Sequence, residues 1–174
     1  MSDFIANKTI ELKDSLKEKN REEQLKLMKD YFHGQTCFLF SCGPSLSDFD
    51  KEYFMNNKGD AVIATVKQAF YPFAKDCSLS FFNLGNFTKM QSDKCIFFGS
   101  SNVGLKDSKG FVWGDQEVDV FDLISNHRNI ESCVAATKDF EKLKFENVVN
   151  RSWGPGIMYE TVFYNLIHLG FKKI

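Results

Sequence analysis

Four short apolar runs mark the first hundred residues: "TCFLFSC" (Thr36 to Cys42), "DAVIATV" (Asp60 to Val66), "CSLSFFN" (Cys77 to Asn83) and "KCIFFGS" (Lys94 to Ser100). Each is nearly continuous in apolar and β-branched residues. A strand with one wet face alternates apolar with polar, whereas a strand covered on both faces does not, so these runs predict buried strands of a parallel sheet. "LSDFDKEYFMNN", between the first two, suits a short helix; "KQAFYPFAKD", between the second and third, is interrupted by Pro72. Strands alternating with helical or irregular connections imply an α/β sheet.

Ahead of the first strand, Glu11 to Phe32 is charged, free of Gly and Pro, and carries Leu12, Leu16, Leu25, Met28 and Phe32 at helical spacing. It predicts an amphipathic helix, broken near Asn20 and ended by Gly34, that packs as an arm on the domain edge or on another subunit. After the fourth strand, "SSNVGLKDSKGFVWGDQ" has the Gly, Ser, Asn and Asp content of a long loop or a hairpin, and "VDVFDLI" reads as one more strand. Asp139 to Val149 reads as a helix. "NRSWGPG" then breaks the chain, and Ile157 to Leu169, apolar on nearly every face, predicts a buried helix with Gly170 as its C′ residue. "FKKI" begins a further strand.

The expected architecture is α/β: a Rossmann-like, mostly parallel sheet flanked by helices, with an N-terminal helical arm over residues 1–34 and a nucleotide-binding domain over residues 35–174. Because a sheet of this kind rarely stops one or two residues into a strand, the pattern reads as a domain truncated at its C-terminus. At 174 residues the chain is long enough for one domain with a real core.

Composition narrows the function classes. Hydrophobic residues make up 43% and charged residues 26%, which is globular rather than disordered. A net charge of -1 provides no global field for a polyanion, so nucleic acid is not an expected partner. A small anionic ligand needs only local donors. The five cysteines (Cys37, Cys42, Cys77, Cys95, Cys133) are odd in number and contain no C-x-x-C pair, which indicates a reducing compartment rather than a disulfide framework. No segment approaches the roughly 20 apolar residues of a membrane span, and Met1 to Ile10 has no apolar run of signal-peptide length. A cytoplasmic location follows as the expectation. The 19 phenylalanines do not alternate with Arg or Lys as a single-strand-binding platform would, and read as core.

Two loops carry the candidate chemistry. In an open parallel sheet the ligand sits beyond the carboxyl ends of the strands. "CGPS" leaves the first strand there: Gly43 lets the backbone turn or approach a ligand closely, Pro44 fixes φ at a helix start, and Ser45 caps that helix or bonds a phosphate. An ordinary strand-to-helix turn would use the same residues. The motif is neither G-x-G-x-x-G nor a Walker loop. In "RSWGPGIMYE", Gly154, Pro155 and Gly156 again precede a helix, with Arg151 able to pair a phosphate and Trp153 to stack a base or sugar, or else to plug the core. Lys67 and Gln68 end the second strand, and Asn83 and Asn86 follow the third; such residues serve ligands or simply make turns.

With these pieces in order, the chain resembles the bacterial lipooligosaccharide sialyltransferase family and the related domain of the 6-hydroxymethylpterin diphosphokinase and motility accessory factor group. "CGPSL" and "GPGIMYETVFYNLIHLGFKKI" carry the resemblance, which runs over residues 36–174. It implies that Gly43, Pro44 and Ser45 cradle the phosphate of a nucleotide-sugar donor. Lys67 and Gln68 stand where the family has an Asn-Gln pair, Asn83 matches a donor-contacting Asn, and Gly154, Pro155 and Gly156 match a Thr-Ser-Gly turn. Cys42 and Lys67 each replace an Asn, and Pro155 replaces a serine. The resemblance therefore implies a nucleotide-sugar donor without fixing its base or sugar.

The implied activity is metal-independent glycosyl transfer of the sialyltransferase type, with no cofactor and no metal ligands. Phosphate charge would be met by backbone donors and by Arg151 or Lys67. The family's candidate general-base histidine lies beyond the strand beginning at Lys172, and none of His33, His127 or His168 matches it, so no catalytic residue is assigned. His168, in a last helical turn, reads as structural. Two rivals stand beside this expectation: a diphosphokinase-like domain for ATP and a pterin, and a non-catalytic binding or assembly domain that forms a homo-oligomer through its N-terminal helix.

Overall fold

The computed structural model of the chain describes residues 3–83, 92–100, 111–113, 116–118, 120–121 and 162–174. All four apolar runs become strands: β1 Cys37–Phe40, β2 Val62–Val66, β3 Leu79–Asn83 and β4 Ile96–Ser100. The glycine-rich middle holds a hairpin of β5 Phe111–Trp113 and β6 Gln116–Val118, paired antiparallel. "VDVFDLI" supplies β7 Val120–Phe121, which joins β4 in parallel. The main sheet runs β1-β2-β3-β4-β7, with every neighbouring pair parallel.

The expected strand in "FKKI" begins on the far side of β1. Thr36 and Lys173 form a parallel bridge, with the Cys37 N–H donating to the Lys173 carbonyl at 2.9 Å and the Lys172 N–H to the Gln35 carbonyl at 2.9 Å. Strand order therefore steps away from β1 in one direction and returns beside it on the other. That reversal places β1 at a topological switch point of a Rossmann-like α/β sheet.

Register explains the division of the core. Leu39, Ala64, Leu79 and Ile96 stand level on one face, as do Val66, Phe81 and Phe98; Phe40, Thr65, Ser80 and Phe97 stand level on the other. The first face packs with Ile5, Leu12, Leu16, Met28, Phe32, Val162, Leu166 and Leu169 from the helices. The second packs Ile63, Phe82 and Phe97 with Phe70 and Phe73, bordered by the partly buried Phe40, Leu46, Phe54 and Met55. Each fully buried large apolar side chain contributes about 1.5–3 kcal/mol, so both clusters are needed to offset the ordering of the chain.

The N-terminal helix differs from its expected bounds. It is two helices, α1 Asp3–Leu16 and α2 Arg21–Met28, and α1 starts well before Glu11. The break falls where expected, because Asn20 and Glu23 form a capping box: the Asn20 side chain accepts from the Glu23 N–H and the Glu23 carboxylate from the Asn20 N–H. Ile5, Thr9, Leu12 and Leu16 repeat at helical spacing and are fully buried, so α1 lies against this chain's own sheet. The Lys13 ammonium pins it to the Ser92 carbonyl at 3.1 Å. α2 ends at Met28, and Gly34, at φ 79°, belongs to the turn that follows it rather than to a helix cap.

On the second face the cover is short: a 3-10 helix Pro44–Asp48, α3 Lys51–Asn57 and α4 Phe70–Phe73. Asp50 caps α3, its carboxylate accepting from the Tyr53 N–H at 2.9 Å. Pro72 is accommodated because the first turn of a helix has no internal partner for its amide. α5 Phe163–His168 ends the C-terminal helix. Gly170 takes the C′ position at φ 82°, as expected, and it also abuts the turn after α2: a Cβ there would lie 2.9 Å from Asp30 Cα. The predicted helix over Asp139 to Val149 and the start of the one over Ile157 to Leu169 lie outside the described residues. Among the described residues no helix is long and apolar enough to cross a membrane.

Candidate functional site

Because the strands are parallel and in register, their carboxyl ends open on one edge of the sheet. Ser41 to Asp50 leaves β1 there, Lys67 and Gln68 leave β2, and Asn83 ends β3 level with Ser100 of β4. Phe40 and Thr65 are the last pair between β1 and β2. Beyond it the two strands part, residues 41–50 leaving β1 and Lys67 opening a 3-10 helix, Lys67–Ala69, directly after β2. Thus Cys42, Gly43, Pro44, Ser45, Lys67, Gln68 and the backbone of Asn83 share one edge, as the sequence predicts, and β1 at the switch point carries an exposed loop there.

Ser41, Cys42, Gly43, Pro44 and Ser45 are all exposed. Gly43 lies at φ -73° and ψ 159°, an extended conformation open to any residue. The turn therefore does not require glycine. Among the described residues a Cβ at Gly43 would meet only the Ser45 Oγ, at 3.9 Å. Of the two reasons offered for the residue, backbone turning fails.

Pro44 occupies the first turn of the helix that Gly43 begins, as expected. That helix is a five-residue 3-10 helix, not an α-helix, and Ser45 lies within it instead of capping it. The Leu46 N–H is already committed to the Gly43 carbonyl at 3.0 Å, and the Ser47 Oγ donates to the Pro44 carbonyl at 2.7 Å. The dipole of so short a helix is small, so the donors at this edge are individual backbone amides rather than a helix end.

Lys67 has a feature the sequence does not reveal: φ is 54°, in the left-handed region. The two other non-glycine residues with positive φ among the described residues, Glu18 at 60° and Asp30 at 58°, follow the carboxyl ends of α1 and α2, where that conformation is routine. Lys67 instead follows a strand. Holding a lysine there costs about 1–2 kcal/mol, and such residues collect at binding and catalytic sites.

Beneath this edge a chain of buried polar atoms runs through the second face. The Thr65 Oγ1 donates to the Ser80 Oγ at 3.1 Å and lies 3.3 Å from the Cys77 Sγ, which is 3.8 Å from the Cys95 Sγ. Desolvation pushes the Cys95 thiol well above its ordinary pKa, and does the same to Cys37 on the first face. Thiolate is therefore disfavoured at both, and the exposed Cys42 is set apart from these buried cysteines. His168 takes the structural role expected: its Nε2 lies 2.7 Å from the Leu25 carbonyl, tying α5 to α2. Arg151, Trp153, Gly154, Pro155 and Gly156 lie outside the described residues, as does Asn86. Among the described residues no three His, Cys, Asp or Glu side chains group as a metal site.

Phe49, at the end of the β1 loop, received no role from the sequence. Its ring packs edge-on against Phe40 at 5.1 Å and remains partly exposed, so it borders the same edge. Only the tertiary contact marks it, since in sequence it is one phenylalanine among 19. Comparison with known proteins finds no matching family model, no matching curated protein and no matching solved structure.

Proposed function

We propose that this is a glycosyltransferase-like domain of the sialyltransferase type that binds a nucleotide-sugar donor at the carboxyl edge of its sheet. The observation that carries the reading is the convergence of the exposed Gly43 loop, Lys67 and the end of β3 on the edge where strand order reverses around β1. Backbone amides of the Gly43 loop and the Lys67 ammonium meet the donor phosphate. An acceptor hydroxyl attacks the anomeric carbon and gives its proton to solvent, the bond from that carbon to the phosphate oxygen breaks, and the nucleotide leaves with the electron pair. Charge that develops on the departing phosphate is stabilised by donors already in place, without a metal ion.

The test is calorimetry of the whole chain with cytidine monophosphate and the other nucleoside mono- and diphosphates in EDTA, alongside ATP with Mg²⁺ and a pterin. Binding of a nucleotide in EDTA, with donor hydrolysis that Mg²⁺ does not increase, is expected. Binding of ATP only with Mg²⁺ would transfer the site to diphosphoryl transfer. No binding of any nucleotide would leave a non-catalytic assembly domain.

A further inference from the structure

Resting on that reading of the site, we infer that its ligand is a nucleoside diphosphate derivative, and that Lys67 distinguishes it from a monophosphate by pairing with the second phosphate. Lys67 is half-buried at the carboxyl end of β2, on the edge where the Gly43 loop leaves the neighbouring β1. Partial burial of an ammonium is unfavourable without a counter-charge. Among the described residues no ion pair involves Lys67.

The carboxylates of the flanking loop are turned to other work. Asp50 accepts from the Tyr53 N–H, and Asp48 lies 3.4 Å from the Ser47 hydroxyl. The neighbouring Lys51 is already paired with Asp76 at 3.2 Å. Residues 84–91, which follow β3, contain one lysine and no acid. Among the described residues the edge thus presents a cation without an ion pair beside exposed backbone. A monoester or diester phosphate can be met by the Gly43 loop amides alone, whereas a diphosphate brings a further negative charge that needs a cation within reach. The left-handed backbone turns the chain at the point where β2 stops, and the fold maintains that conformation against its cost.

Calorimetry in EDTA with the matched pairs UMP and UDP, CMP and CDP, GMP and GDP, and AMP and ADP tests this. For whichever base binds, the diphosphate is expected to be at least about tenfold tighter, the scale of one charge-assisted contact. Lys67→Asn and Lys67→Gly both suit a positive φ, so they should fold with unchanged or raised melting temperature and reduce the diphosphate preference to within about twofold. Lys67→Arg should retain it. Equal affinity for both members of every pair overturns the inference and leaves the nucleotide site standing. A diphosphate preference that survives in Lys67→Asn, or that appears only with Mg²⁺, overturns it too. No nucleotide binding at all removes both the inference and the reading beneath it.

Discussion

The two faces of the sheet are covered in different ways. On the first, α1, α2 and α5 seal a mainly aliphatic cluster in which Ile5, Leu12, Leu16, Met28, Phe32, Leu166 and Leu169 are fully buried. On the second, three short helices carry a layer of rings that leaves Phe38 at 39%, Phe49 at 37% and Tyr53 at 68% exposed. Among the described residues the second face is the one continuous with the candidate site, because the loop that leaves β1 becomes its cover. The difference teaches a division of labour: stability is concentrated on one side, and the side bearing the candidate edge is thin enough to change with its loop.

The sharpest way to break this comparison is a pair of matched truncations. Phe32 is fully buried between the edge-on Tyr31 ring at 5.3 Å and the stacked Phe171 ring at 5.2 Å. Phe32→Ala should cost about 3–5 kcal/mol in denaturant unfolding, enough to unfold much of the protein. Phe49→Ala, on the thin face, should cost about 1 kcal/mol, since its ring is partly solvated already. Equal losses would mean that the two faces contribute alike.

Gly170 tests how tightly the first face is locked. The carbonyls of His168, Leu169 and Gly170 accept from the N–H groups of Asp30, Phe32 and Gly34 at 2.9, 2.8 and 3.3 Å. Gly170→Ala would force a Cβ to within 2.9 Å of Asp30 Cα at a φ of 82°. A loss of about 2–3 kcal/mol is expected, read as a lower melting temperature, because the obstructing atom is backbone and cannot swing aside. A fall of less than about 0.5 kcal/mol would show that the α2 and α5 turns do not interlock.

Buried thiols give each face a pH signature. Cys37 on the first face and Cys95 on the second are both held protonated by burial. The folded chain therefore retains protons that the unfolded chain releases above the ordinary thiol pKa of about 8.5. Stability should be intact below that pH and fall as pH rises above it, by up to about 1.4 kcal/mol per pH unit for each thiol. Urea unfolding at pH 8 and pH 10 measures the slope, and Cys37→Ala and Cys95→Ala should each remove about half of it. A flat profile would place solvent at both sulfurs. In the native protein a thiol reagent should modify Cys42 long before Cys37 or Cys95.

The same contrast explains what the sequence disclosed. The strands were legible because a doubly covered strand is a nearly unbroken apolar run: Val62 to Val66 and Leu79 to Phe82 are buried at every position, whereas β1, expected to be covered alike, is buried only at Cys37. The break at Asn20 was legible because a capping box is local chemistry. The start of α1 was not, because Asp3 to Ile10 buries only Ile5, Ala6 and Thr9, and a buried threonine bonding the Ile5 carbonyl looks polar in sequence. At the site, chain order and parallel pairing were enough to place Cys42 to Ser45, Lys67, Gln68 and Asn83 on one edge. The left-handed backbone of Lys67 and the 3-10 form of residues 44–48 were hidden, since both are imposed by how the loops pack rather than by residue preference.

The smallest expected change in stability falls on the residue most informative about function. Gly43 adopts a conformation any residue accepts, and the space a methyl group would fill holds no atom nearer than the Ser45 Oγ at 3.9 Å. Gly43→Ala should therefore shift unfolding by no more than about 0.5 kcal/mol. If a phosphate lies against this backbone, the methyl group occupies its place, and nucleotide affinity should fall by at least about tenfold while the fold is untouched. The matched Gly59→Ala separates backbone freedom from ligand approach: Gly59 sits at φ 60° in an open turn before β2, so it should lose about 1 kcal/mol of stability and no affinity. A Gly43→Ala protein that binds nucleotide as the native chain does would remove the cradle, because no contact among the described residues accounts for a glycine there.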